Sequence, residues 1–257
     1  MKFVDYYGDD RLRHKIVYNR NSYSECVYCG AKADTREHVP SKVFLDKPYP
    51  DNLGIVPACF KCNNSFSKDE LFLSILIEKL KRKHFGQKYV FSNETTERLN
   101  KNKKLVNEIE TIINNNNINE CGETIKRILF KLAIGHAVFE VSEGYCAKEG
   151  TVHYKFLNDV SDEEFENFTT PFIINDHLLP EIGSRAYERI MIVDVDLASV
   201  DGKEQRKRTT LALLNWVDVQ KSKYVYTCYK FEDEIIVKMI INEFLLAKVI
   251  LVVDDIL

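Results

Sequence analysis

Cys26-Val27-Tyr28-Cys29 and Cys59-Phe60-Lys61-Cys62 bracket the stretch whose reading decides the fold. Between them lie Arg36-Glu37-His38-Val39-Pro40 and Asp51-Asn52-Leu53-Gly54-Ile55-Val56-Pro57, and Asn63-Asn64 follow the last cysteine. Each Cys-x-x-Cys forms a tight knuckle that aims two sulfurs at one point. Two knuckles supply the four soft ligands of a tetrahedral zinc site. The 29 residues between Cys29 and Cys59 are more than a simple ribbon needs, so this loop carries something of its own. Disulfides and a redox Cys-x-x-Cys are the competing readings. The start of the chain, Met1-Lys2-Phe3-Val4-Asp5, has no apolar signal-peptide core. The expectation is a cytoplasmic chain with reduced thiols, which favours structural zinc. Four thiolates leave that site anionic, so Lys61 reads first as its neutraliser and second as a phosphate contact.

Between the knuckles, His38 has the residue type that takes a proton from water near neutral pH. Glu37 and the Asn63 amide offer oxygens to a hard Mg²⁺-type ion. One geometric condition applies. Neighbours on a regular strand point to opposite faces, so Glu37 and His38 share a site only if the strand bends. Pro40 makes a bend or a strand end there plausible, since it lacks a ladder donor and biases Val39 to extended backbone. The bland alternatives are a solvated Glu-His pair and an asparagine that serves a turn or an N-cap.

Taken together, these residues resemble the HNH endonucleases, the ββα-metal nucleases with a zinc-binding, treble-clef-like variant. The resemblance covers about residues 24–72. It rests on Glu37-His38 at a strand end, Asn52 opening the second strand, and Asn63 just past the second knuckle. It implies His38 as general base, with Glu37 and Asn63 holding a catalytic Mg²⁺ or Mn²⁺. Asn52 would fix the His38 loop by hydrogen bonds to its backbone. Glu stands where Asp is commoner and Asn where His is commoner; the family uses both. The implied activity is hydrolysis of phosphodiester bonds, in DNA rather than RNA, as in phage-defence or mobile-element effectors.

The whole chain has 257 residues, 45% hydrophobic and 29% charged, with a net charge of −3. Global basicity, the footprint of a non-specific nucleic-acid binder, is therefore excluded. The basic residues cluster instead: nine Lys/Arg against three Glu lie between Leu71 and Leu105, a local balance of +6. Lys61, Lys68, Lys81 and Lys83 are the expected phosphate contacts, and a solvated helix face is the alternative. No apolar run reaches the length that spans a bilayer. Cys121, Cys146 and Cys228 read as buried free thiols.

The expected fold class is α+β. Residues 1–90 form the nuclease module, with an N-terminal arm over residues 1–23. Asn63 or Asn64 caps a helix that runs to about His84 and ends at Gly86. Residues 94–114 read as one helix and Glu123–Val141 as the next, with His136 a packing residue near its apolar stripe. Residues 91–257 continue as helices and a mostly antiparallel sheet. Strands are expected at Val152–Phe156, Arg189–Val195, Leu211–Val219, Tyr224–Phe231, Ile235–Ile241 and Leu245–Val253, and a short helix after Ser161. Lys203–Arg208 reads as a basic loop. This second region carries no recognised chemical motif; regulation, specificity, partner binding or self-association is its expected role. The rival from another class is a zinc-stabilised binding module without catalysis.

Overall fold

The computed structural model describes residues 24–51, 53–143, 146–170 and 216–252 in full, and the backbone alone of 173–175, 187–198 and 204–214. The expected N-terminal arm and Asn52 lie outside the described residues.

The first knuckle leads into a hairpin of β1 (Thr35–Val39) and β2 (Gly54–Ala58), followed directly by α1 (Phe60–Phe85). The hairpin register is unbroken from Thr35↔Ala58 to Val39↔Gly54. Helix α1 starts earlier than expected: Cys59 is its N-cap, and the Cys62 amide donates to Cys59 Sγ. Asn63 therefore sits in the first turn and Asn64 just past it, and neither caps the helix. Gly86 ends the helix as expected, with φ 57°, a conformation that Cβ-bearing residues resist.

The expected helix over residues 94–114 is two helices, α2 (Asn93–Lys101) and α3 (Lys103–Asn114). They break at Asn102, whose side chain donates back to the Arg98 carbonyl. Helix α4 (Gly122–Val141) follows and is the hub of the molecule. It packs on α1, β1 and β2, and also on strands β3 (Gly150–Phe156), β8 (Tyr224–Phe231), β9 (Glu234–Ile241) and β10 (Leu245–Val252). Its midsection is therefore buried on most sides. That is why a polar residue there needs a partner. His136 has one, at 2.8 Å from the Tyr224 hydroxyl, and stacks on Tyr226.

The C-terminal sheet has the order β3-β10-β9-β8-β7, all antiparallel, with β7 at Val217–Gln220. Helix α5 (Asp162–Thr169) follows Ser161 as expected and opens with a capping box between Ser161 and Glu164. A separate three-stranded sheet joins β4 (Ile173–Asn175), β6 (Glu204–Leu214) and β5 (Tyr187–Ala198). Two expectations change here. The expected strand over Leu211–Val219 is divided between β6 and β7. Glu204–Arg208 belongs to β6 and is no loop: Arg206 and Arg208 stand opposite Asp196 and Asp194 in the ladder.

One cluster of buried apolar side chains runs from Val27, Val39 and Val56 through α1 and α4 to Val249 and Leu251. The hairpin thus shares its core with the sheet, and the core crosses residue 90 without a break. Cys228 lies in it, whereas Cys121 and Cys146 are only partly buried. Among the described residues no helix is long and apolar enough to cross a membrane.

At Gly54 the hairpin backbone packs closely against Phe139 of α4. A Cβ there would lie 3.0 Å from the Phe139 ring. Gly54→Val is expected to destabilise the fold by about 1–3 kcal/mol through overpacking, read as a lower denaturant midpoint. An unchanged midpoint would show that the Phe139 contact is slack.

Candidate metal centre and the face beside it

The four cysteines of the two knuckles converge. Their sulfurs all lie within 4.8 Å of one another. Cys29 Sγ and Cys59 Sγ are 3.8 Å apart. A tetrahedron with Zn–S bonds of about 2.3 Å has edges of about 3.8 Å, so the cage has the right size for zinc. Backbone bonds shape the knuckles: Cys29 and Gly30 amides both donate to the Cys26 carbonyl, and Gly30 takes φ 74°. The Val27 amide donates to the Pro57 carbonyl and fastens the first knuckle to β2. The Cys62 amide at Cys59 Sγ leads in drawing that thiol down to about 7, while burial pushes the Cys26 thiol up. This donor set fits a soft structural metal such as zinc.

The expected second site is not assembled. Strand β1 does not bend before Val39. Glu37 and Val39 are buried while Arg36 and His38 are not, which is plain strand alternation. Glu37 is 7% exposed, and its Oε1 accepts from Lys131 Nζ at 2.7 Å and from Ser41 Oγ at 2.9 Å. The assignment of Glu37 as ligand to a hard divalent ion is thereby corrected. Its carboxylate faces the core and is held by an ammonium. The Asn63 amide is also engaged: Nδ2 donates to Thr35 Oγ1 at 3.2 Å and to the Arg36 carbonyl at 3.4 Å. It ties the first turn of α1 to the start of β1.

His38 looks out from the other face of the hairpin. Its cross-strand partner is Ile55, which is 43% exposed. Partial burial, and secondarily the Lys42 ammonium, hold its imidazole below its ordinary pKa. It is therefore mostly neutral at pH 7, with a lone pair for a proton. Arg36 is exposed on the same face, and Phe60, between the knuckle cysteines, is 64% exposed.

The expected phosphate contacts divide. Lys61 and Lys68 are exposed on α1. Lys83 is exposed but donates to the Ile113 carbonyl at 3.2 Å. Lys81 is corrected: it is 3% exposed, and its Nζ donates to the Asn242 carbonyl at 2.7 Å and faces Glu243. It pins α1 to the turn between β9 and β10. Lys79 and Lys101 pair with Glu110 and Glu97, which reduces the positive face that the sequence suggested.

No family model, curated protein or solved structure matches this chain.

Sequence reasoning missed Lys42, Ser41, Glu70 and Lys131. The signals were present but weak. Glu70 shares a helical face with Leu73 and Ile77, and Lys131 with Ile128 and Ile134. A charge in an apolar stripe announces a buried partner without naming it.

Proposed function

We propose that the chain is an endonuclease of the HNH type, which hydrolyses phosphodiester bonds in nucleic acid, DNA in preference to RNA. His38 takes the proton from the attacking water. The observation that carries this reading is the position of His38. It stands on the open face of a hairpin clamped by four cysteines, next to Lys42 and in line with Arg36. The order knuckle, hairpin, knuckle, helix supports a treble-clef-like ββα-metal unit. Nearby cations lower the energy of phosphate charge at such a face, and a neutral imidazole removes the proton that makes water a poor nucleophile. Structural zinc holds the unit together. With Glu37 turned inward, Asn63 is the only oxygen donor left of the expected pair for a catalytic Mg²⁺ or Mn²⁺. That donor set does not make a hard-ion site, so the proton and charge roles fall to His38, Lys42 and Arg36.

The inward Glu37 favours a second reading, a zinc-stapled module that binds nucleic acid without cleaving it. One assay separates the two. The zinc-loaded chain is incubated with supercoiled plasmid, single-stranded DNA and RNA, each with and without Mg²⁺ or Mn²⁺. Nicking of any form supports the endonuclease. Binding with no cleavage of any form would leave the binding module.

A further inference from the structure

Lys131 lies on α4, far along the chain from the knuckles, yet its side chain ends inside the hairpin module. It is 2% exposed. Its Nζ donates to Glu37 Oε1 at 2.7 Å, to Ser41 Oγ at 2.7 Å and to Glu70 Oε1 at 2.6 Å. An ammonium has three donors, and all three are used. The rings of Tyr28 and Phe66 each lie 5.7 Å from the same nitrogen. Ser41 passes its own hydrogen to a carboxylate, Glu70 at 2.6 Å or Glu37 at 2.9 Å. A single buried cation therefore joins the first knuckle (Tyr28), β1 (Glu37), the loop after β1 (Ser41) and α1 (Glu70).

We propose that Lys131 is a positioning residue, which fixes from behind the direction in which His38 faces out. This rests on the reading of His38 as proton acceptor. His38 sits between two inward-pointing neighbours, and α4 holds both. Lys131 holds Glu37. One turn later Gly135 lets the helix backbone close on Val39: a Cβ at Gly135 would lie 3.3 Å from Val39 Cγ2. Two anchors on one helix face, two residues apart on β1, set the roll of that strand. On an unbent strand, the roll of Glu37 and Val39 sets the opposite roll of His38. The composition of the cluster also points beyond stability. Two carboxylates share one ammonium, and buried ion pairs of this kind rarely stabilise more than apolar packing of the same volume. What such a cluster supplies is a defined geometry, and general-base catalysis depends on geometry to a fraction of an ångström.

The test compares zinc-loaded wild type, Lys131→Met, Glu70→Gln and Lys131→Met/Glu70→Gln by amide hydrogen exchange and by single-turnover cleavage. In Lys131→Met, exchange at Glu37 and Val39, whose amides face β2, is expected to accelerate at least about 100-fold, since an uncompensated buried carboxylate opens the strand. Amides of β8 to β10 keep their protection. The cleavage rate constant falls at least about tenfold while the substrate dependence of the rate is unchanged. The double variant removes one surplus carboxylate and returns an N–H donor, and it recovers part of both losses, since Glu37 still lacks its ammonium. Should Lys131→Met not fold, the double variant is read against Glu70→Gln alone, with slower cleavage and faster β1 exchange expected in the double. Unchanged β1 exchange, or faster exchange with wild-type cleavage, overturns the proposal. A wild type that cleaves nothing overturns the endonuclease reading and the positioning role with it. The exchange data, read without substrate, still show whether Lys131 anchors β1.

Discussion

Cys59→Ser is expected to cost the protein its metal and the order of residues 26–63, while the core of α4 and the C-terminal sheet survives. The knuckles and hairpin bury little of their own. Between residues 26 and 63 the interior receives Val27, Val39, Phe44, Leu45, Val56 and Ala58 besides two of the cysteines themselves, few for ordering two knuckles, a hairpin and its long loop unaided. Zinc in small metal-dependent folds supplies about 10–16 kcal/mol of apparent binding energy, as much as whole domains have in total stability. A serine cannot offer a soft thiolate. It can, however, serve as an N-cap, and Cys59 is the N-cap of α1. Any loss seen in Cys59→Ser therefore reports the metal and not the cap. The expected result is no bound zinc by metal analysis, new protease cuts between the knuckles, and most helical circular dichroism retained. A Cys59→Ser protein that keeps its zinc and its protease resistance would contradict the four-thiolate site.

His38→Ala is expected to lower cleavage by about 10²–10⁴-fold, the usual worth of a positioned general base. Zinc content and melting behaviour should hold, because His38 is only partly buried and is no ligand of the clamp. The pH dependence follows from its surroundings. Partial burial, then Lys42, depress the imidazole pKa from its ordinary 6.5. Activity should thus persist at neutrality and fall only as pH drops through a value below that. Lys42→Gln removes the repulsion, so the acid limb should move to higher pH. The linked stability has the same sign. The unfolded chain binds this proton more readily than the folded one, so the fold loses stability as pH falls below 6.5 and regains it above. An acid limb that stays put in Lys42→Gln would show that another group controls the rate.

The sequence revealed local features more readily than convergence. The Cys-x-x-Cys spacing located the clamp, because a knuckle is a local object whose geometry four residues dictate. The strands from Tyr224 onward, the end of α1 at Gly86 and the short helix after Ser161 were legible for the same reason. The direction of Glu37 was not. It depended on whether β1 bends, and the partner that holds the carboxylate inward, Lys131, is a long-range contact that no local pattern names. Lys81 misled in the same way: its charge suggested solvent or phosphate, and the turn at Asn242 claims it. The break at Asn102 escaped notice because the apolar periodicity continues across it while the backbone does not. The shared core escaped because a sequence shows each apolar face but not which faces meet, and α4 presents its faces to both halves.

The measurement that bears most directly on the account is single-turnover cleavage of nucleic acid by the wild type and His38→Ala at matched zinc content. The account predicts cleavage by the wild type and a loss of at least about 100-fold in the variant, with zinc retained in both. Equal rates in the two proteins, or no cleavage by either on DNA or RNA, would contradict it and leave a zinc-pinned binding module.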